Sequence, residues 1–141
     1  MSDDRSDMDR EIYVERIISQ CLFDILLIQN MSIDVKGFLK KHGINKIAIH
    51  GMGKLGKAFL SMLIKSGVDV VYGVDRDRNI EIENFDLKHS INEMTAEVDI
   101  VVITSELSYR DIDREIKTVI DVPTIVVRDM LEGMLLVPQS I

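Results

Sequence analysis

The sequence predicts an α/β fold in three layers, with helices on both faces of a mostly parallel sheet of about five strands in the order 3-2-1-4-5. Short apolar runs that end in glycine or a polar residue predict buried parallel strands. Between these runs, apolar residues recur at helical spacing, and a glycine-rich turn follows the first run. Strands that alternate with amphipathic helices form parallel sheets through right-handed crossovers.

One globular unit is expected, because a chain of 141 residues, 46% of them hydrophobic, is long enough for a single core. Residues 1–10 are polar and are expected to form a disordered tail. Residues 11–43 are expected to form a helical lead-in packed on the domain. Residues 44–141 then form the α/β domain itself.

The lead-in contains two predicted helices. Between Glu11 and Asn30 the apolar residues recur every three or four positions, which predicts one amphipathic helix. Its apolar face consists of Ile17, Ile18, Cys21, Leu22, Ile25 and Leu26. A shorter helix is expected to begin with Ser32 as N-cap and to end at Gly43, since glycine readily adopts the left-handed conformation after a helix.

The first half of the domain reads as a strand, a helix and a strand. The strands are predicted at residues 46–50 and 68–74, and the helix between them ends at Ser66-Gly67. Its apolar face contains Leu55, Ala58, Phe59, Met62 and Leu63. A short strand is expected near residues 85–87.

The second half continues the alternation. Ser90 to Glu93 has the pattern of a capping box and predicts a short helix. Residues 99–104 predict a buried strand, and a helix capped by Ser108 follows it. Residues 124–127 predict the last strand. After Asp129 we expect one helical turn and an extended end.

The turn after the first strand carries the functional signal. Gly51-Met52-Gly53-Lys54-Leu55-Gly56 matches the pattern G-x-G-x-x-G between a strand and a helix. In such a turn the first glycine permits the tight bend, the second lets a pyrophosphate approach the backbone, and the third lets the helix pack closely on the sheet. The free N–H groups and positive dipole end of the helix would bind the phosphates.

Asp75 ends the second strand nineteen residues after Gly56. A carboxylate at this point can accept hydrogen bonds from ribose hydroxyls, which favours NAD as the cofactor. Arg76 and Arg78 lie beside it, and guanidinium groups can bind the 2′-phosphate of NADP instead. The sequence therefore predicts NAD or NADP, with NAD favoured through Asp75.

Thr104 and Ser105 end the fourth strand, near the switch in strand order, so they are predicted to line the ligand crevice. Tyr109 and Arg110 lie where they could reach a ligand or a second subunit. His50 is interpreted as a core or second-layer side chain. No residue pattern identifies a nucleophile, a general acid or a general base, so the catalytic residues stay unknown.

Composition excludes several function classes. The formal net charge of −7 argues against duplex nucleic acid as a partner, since such binding needs a basic face. Cys21 is the only cysteine, which argues against a metal site built from cysteines and favours a reducing compartment. No apolar run is long enough to span a bilayer, so we expect a cytoplasmic protein without membrane insertion.

Residues 47–77 resemble the NAD(P)-binding Rossmann superfamily. The pattern from Ala48 to Gly56, followed by Tyr72-Gly73-Val74-Asp75, is most similar to small Rossmann domains associated with bacterial polysaccharide and sugar-nucleotide biosynthesis. The resemblance covers about residues 32–131 and implies a place in cell-surface sugar metabolism. Val74-Asp75-Arg76-Asp77 also resembles nucleotide-sensing domains that regulate potassium channels and transporters, although those lack the helical lead-in.

These features predict a nucleotide-binding module without autonomous catalysis, which acts through a partner enzyme or as a homodimer. The alternatives are a minimal NAD(P)-dependent oxidoreductase completed by dimerisation, a nucleotide-sensing regulatory subunit of a transport system, and a purely structural interaction domain. The ligand would be a dinucleotide or a nucleotide-sugar. The helix from Glu11 to Asn30 would supply the dimer interface, unless its apolar face covers the domain itself.

Overall fold

The computed structural model describes residues 4–136 of the chain. Its helices are α1 (Asp4–Asn30), α2 (Val35–Lys41), α3 (Lys54–Lys65), α4 (Tyr109–Lys117) and α5 (Val127–Leu136), with a 3₁₀ turn at Ile91–Glu93. Its strands are β1 (Lys46–His50), β2 (Asp69–Val74), β3 (Leu87–Lys88), β4 (Ile100–Ile103) and β5 (Thr124–Val126). All strands pair in parallel, in the order β3-β2-β1-β4-β5, so the predicted fold class is confirmed.

Helices cover the sheet unequally on its two faces. The larger core cluster joins the sheet to α1, α2, α3 and α5, whereas the smaller one joins it to α4 and the 3₁₀ turn. Ile47 and Ile49 belong to the larger cluster, and Ala48 between them belongs to the smaller. Because the middle of β1 is buried on both faces, residues 47–49 are continuously apolar rather than alternating.

The first helix is longer than the sequence predicted. α1 begins at Asp4, so residues 4–10 continue the helix in place of the expected disordered tail. The side chains of residues 5–13 are all exposed, and a helical conformation for them costs little because the turns that follow are already formed. Ile17, Cys21, Ile25 and Ile28 pack α1 onto the domain, where it contacts α3 and α5.

Two further boundaries differ from the prediction. Ser32 has a φ of +52° and cannot act as N-cap; Asp34 does so instead, accepting a hydrogen bond from the Gly37 N–H at 2.9 Å. Residues 127–136 form nearly three turns of helix instead of one, since Val127, Met130, Leu131 and Met134 are buried at helical spacing. The extended end expected after this helix lies outside the described residues.

The other predicted elements are present near their expected positions. β3 lies slightly beyond the predicted strand at residues 85–87. The capping box forms a 3₁₀ turn, in which Ser90 Oγ accepts from the Asn92 N–H at 3.2 Å and Glu93 Oε2 accepts from the His89 N–H at 3.1 Å. Among residues 4–136, the structure contains no helix with the length and apolar character needed to cross a membrane.

Cys21 lies in the interface between α1 and the rest of the domain. Its side chain is fully buried. Burial first, and then the negative charge of Asp24, raises the pKa of the Cys21 thiol to about 11. Since only the thiolate is nucleophilic, the thiol is shielded both by its low ionisation and by the packing of α1.

We expect Cys21 to react with iodoacetamide at pH 8 at least about tenfold more slowly in the folded protein than in urea, because the folded thiol is both buried and protonated. Mass spectrometry of timed aliquots measures the rate. A Ser61→Cys variant supplies the control, since Ser61 is exposed on α3 and its thiol should react quickly in the folded state. Equal native and denatured rates for Cys21 would mean that α1 leaves the domain readily.

Candidate functional site

The predicted glycine turn lies at the carboxyl end of β1, beside the point where strand order reverses between β1 and β4. Open α/β sheets bind ligands in the crevice at this point. The Gly51 N–H donates to the Val74 carbonyl at 2.8 Å, which extends the β1–β2 pairing into the turn. The chain then bends and enters α3 with Gly53 as N-cap.

Gly51 and Gly56 are required by close contacts within the chain. Gly51 has a φ of +96°, and a Cβ there would overlap the Thr104 hydroxyl oxygen. A Cβ on Gly56 would overlap the carbonyl oxygen of Gly51. The first turn of α3 therefore lies directly against the turn that precedes it, as the sequence predicted for the first and third glycines.

Gly53 is different, because nothing in the described chain requires glycine there. Its φ is −72°, and a Cβ would meet no atom within 4 Å. It caps α3 without a side-chain hydrogen bond to the first-turn N–H groups. The missing side chain leaves the start of α3 open to anything that approaches from the crevice.

A crevice of about 410 Å³ opens at this place. Six of the predicted site residues line it, from the start of α3 and from the segment after β4. The complete lining is Gly53, Lys54, Leu55, Gly56, Thr104, Ser105, Glu106 and Leu107, together with Val14, Glu15, Ile17 and Ile18 of α1. The site thus has an apolar wall supplied by the lead-in helix.

That wall, Glu106 and Leu107 were not predicted from the sequence. The amphipathic pattern of α1 predicted its packing on the domain, but periodicity along one helix gives no information about which loop the helix will border. Glu106 follows Ser105 directly, so its place near the crevice could have been inferred from the same strand end.

Four predicted ligand residues lie outside the crevice. Met52 is fully buried, so its side chain belongs to the core and not to a ligand surface. Gly51 is enclosed by Thr104, as described above. Asp75 and Arg76 lie at the end of β2, beyond the glycine turn. A ligand that used both regions would have to cross the turn, as a dinucleotide does in doubly wound folds.

Asp75 has a structural role that the sequence did not predict. Its Oδ2 accepts from the Met52 N–H at 2.7 Å, and its Oδ1 accepts from the Asp77 N–H at 2.9 Å. The carboxylate therefore holds the glycine turn to the end of β2. Each carboxylate oxygen retains a second lone pair, so the same group can still accept a hydrogen bond from a ligand hydroxyl.

Arg76, just after β2, forms an ion pair with α4, the helix that covers the sheet on the face opposite α3. Its Nη2 lies 2.8 Å from Glu115 Oε2, and both side chains are more than half exposed. Exposed ion pairs of this kind contribute little free energy, so the guanidinium can exchange partners readily. Glu115 on α4 therefore pairs with Arg76, one of the predicted site residues.

The charges around the crevice are mixed. Lys54 is exposed at its edge, while Glu15 and Glu106 contribute carboxylates. Glu106 is paired with Arg128, with Oε1 and Nη2 2.7 Å apart, and the Tyr13 hydroxyl lies 3.4 Å from its Oε2. The Arg128 guanidinium offsets much of the Glu106 charge, so phosphate would meet mainly backbone N–H groups and Lys54.

His50 and Tyr109 differ in their environments: His50 Nδ1 is buried without a hydrogen-bond partner among the described residues, whereas the Tyr109 hydroxyl is bonded within the fold. Burial lowers the pKa of His50, and the nearby Asp75 charge only partly opposes this, so the imidazole is neutral at physiological pH. The Tyr109 hydroxyl lies 2.9 Å from Thr124 Oγ1 on β5, so it bonds within the fold, and Tyr109 is not among the residues that line the crevice. Ser108 occupies the N-cap position of α4 as predicted but makes no side-chain capping bond.

No group of three or more His, Cys, Asp or Glu side chains placed to hold a metal ion occurs in the part of the chain that the structure describes. The acidic residues of α4 instead bond to neighbours, as Asp113 does through its Oδ1, which accepts from the Thr124 hydroxyl at 2.6 Å.

Comparison with known proteins places the chain in a family. Residues 43–126, more than half of the chain, match the C2185-like, N-terminal family, and the protein belongs to it. No curated protein and no solved structure matches the sequence. The matched region contains the whole sheet and the glycine turn, whereas α1, which supplies one wall of the crevice, precedes it.

The geometry separates the roles of two glycines in the turn. We expect Gly56→Ala to lower the free energy of unfolding by about 1–3 kcal/mol, because the new methyl group overlaps backbone rather than a movable side chain. Gly53→Asp should keep or slightly raise it, since aspartate is a better N-cap than glycine and the Cβ meets open space. Urea denaturation followed by circular dichroism measures both. An equal loss in the two variants would contradict this division.

Proposed function

We propose that the protein is a nucleotide-binding module that holds the phosphates of an NAD(P)-type dinucleotide at the start of α3. The observation that carries this proposal is Gly53, which has an unstrained backbone, open space at its Cβ position and an uncapped helix behind it. No contact or backbone angle within the fold requires glycine at this position. A ligand that approaches the backbone closely would explain it.

The surroundings fit such a ligand. Thr104 and Ser105 border the crevice opposite Lys54 and can contact the ribose that follows the phosphates. Asp75 stands on the other side of the turn with lone pairs available for the adenosine ribose, which favours NAD over NADP. Arg76, in an exposed ion pair, supplies a cation that would bind a 2′-phosphate if NADP were the ligand.

Binding without autonomous catalysis is the form of activity that the site supports best. Its ionisable lining residues are Lys54, Glu15 and Glu106, and Glu106 is already paired with Arg128. The histidine closest in sequence to the turn, His50, is half-buried, and burial lowers the pKa of its imidazole. We therefore propose that the module acts through a partner enzyme or a second copy, in the cytoplasm and in connection with cell-surface sugar metabolism, as its resemblance to small Rossmann domains implies.

We expect NADH or NADPH at saturating concentration to raise the melting temperature of the full chain by several degrees, because a ligand at about one hundred times its dissociation constant stabilises the folded state by about 2.7 kcal/mol. Thermal shift and isothermal titration calorimetry should be run with NAD(H), NADP(H), ATP, and UDP- and CDP-sugars. The cofactor with the lowest dissociation constant identifies the ligand, and tighter binding of NADPH than of NADH would reverse the preference for NAD.

The Gly53→Asp variant tests where the ligand binds. Its carboxylate would cap α3 and occupy the phosphate position, so the fold persists while binding is lost. Ser61→Asp adds the same charge at an exposed position of α3 and should bind like the parent protein. A ligand response that survives in Gly53→Asp, or no response to any nucleotide at millimolar concentration, would refute the proposed site.

A further inference from the structure

The face of α1 that points away from the domain carries an exposed apolar strip. It consists of Met8, Ile12, Phe23 and Leu26, with exposed fractions of 60%, 44%, 58% and 53%. Their spacing of four, eleven and three residues places all four on one side of the helix, opposite Ile17, Cys21 and Ile25. We call these four residues the outer strip.

The strip has two parts, Met8 with Ile12 and Phe23 with Leu26, and the first part lies where the domain does not bury α1. Residues 5–13 of α1 have no buried side chain, although Met8, Ile12 and Tyr13 are large and apolar or aromatic. A helical segment of this length has little stability of its own in water. A partner along the outer strip would supply the apolar burial that the first turns lack.

We propose that the outer strip binds the outer strip of a second copy of this chain, with the two α1 helices antiparallel about a two-fold axis near residues 17 and 18. In that register the residue numbers of facing positions add up to about 35. Ile12 then faces Phe23 of the second copy, and Met8 lies beside Leu26 of the second copy. One contact between two identical surfaces thus covers all four residues of each strip.

The sizes of the central residues fit this register. Arg16 and Ser19 lie on the same face, between Ile12 and Phe23. Their numbers also add up to 35, so the long Arg16 side chain of each copy would lie over the small Ser19 of the other. The apolar stem of Arg16 can cover Ser19 while its guanidinium reaches water.

The charge distribution along α1 favours the antiparallel arrangement. Residues 4–16 contain five acidic and three basic side chains, whereas residues 17–30 contain only Asp24, which is buried against the domain. A parallel pair would place two negatively charged halves side by side. The antiparallel pair places each charged half along an uncharged half, and it also opposes the two helix dipoles.

The available area indicates a weak dimer. A helix of 27 residues is about 40 Å long, so a contact strip about 10 Å wide buries about 400 Å² on each copy and about 800 Å² in total, which is the size of a weak, transient interface. We therefore expect a dissociation constant in the micromolar range rather than a permanent dimer.

Sedimentation velocity of the full chain over about 1–300 μM tests the proposal. The weight-average mass should rise from 16.1 kDa towards twice that value with increasing concentration. Ile12→Glu and Phe23→Glu should each raise the dissociation constant at least about tenfold, because each places two unpaired carboxylates in the apolar contact. Ile64→Glu, at a position of α3 that is 56% exposed, should associate like the parent chain.

A double variant with opposite charges tests which residues of the two helices face each other. In the double variant Ile12→Glu with Phe23→Lys, the carboxylate introduced at position 12 of each copy would face the ammonium group introduced at position 23 of the other. Dimerisation should therefore recover relative to Ile12→Glu alone. Circular dichroism should show the same helix content in all variants at high concentration.

Three results would each overturn the proposal: a monomer at every concentration, a dimer unaffected by both single variants, or no recovery in the double variant. None of these measurements involves a nucleotide, so their outcome is independent of the proposed ligand site.

Discussion

The arrangement at the carboxyl end of the sheet depends on the contact between Gly56 and the carbonyl oxygen of Gly51. Because neither position has room for a side chain, the first turn of α3 begins directly against the end of β1. That contact aims the free N–H groups of α3 at the crevice between β1 and β4. Thr104 reinforces it, since its hydroxyl donates to the Gly51 carbonyl at 3.0 Å and so connects the loop after β4 to the same turn.

Asp75 completes this arrangement from the other side. The turn Gly51-Met52-Gly53 has no side-chain hydrogen-bond acceptor of its own, and the Asp75 carboxylate supplies the acceptor for the Met52 N–H. Two charge-assisted hydrogen bonds to one carboxylate restrain the turn and the loop after β2 together. Any ligand that reaches from the start of α3 to the end of β2 would therefore meet a surface that is already in place, which reduces the ordering cost of binding.

Most of the fold could be predicted from the sequence because strand and helix periods are local properties, and the structure has the predicted strand order. The errors arose where a more distant contact decides the outcome. The chain after Asp129 was expected to form one helical turn, yet Gly133 lies within α5, where the ring of Phe38 packs 3.2 Å from the position that its Cβ would occupy. Ser32 looked like an N-cap, yet the turn after α1 gives it a positive φ.

The candidate site was incomplete for the same reason. Spacing identified the glycine turn and the ends of β2 and β4. It could not show that Asp75 bonds to Met52, 23 residues away, or that α1 adds a wall.

The position of α1 connects the crevice with the outer strip. Val14 and Glu15 line the crevice, while Ile12 and Arg16, on the same stretch of helix, belong to the face that points to solvent. A contact that orders this stretch of α1 therefore affects both the crevice wall and the solvent-facing side. If a second copy fixes the helix, it also fixes the crevice wall, and thermodynamic linkage then requires that a ligand which contacts the wall strengthens the association by the same factor. The wall lies outside the region that defines the family, so this coupling would be a property of the lead-in helix and not of the glycine turn.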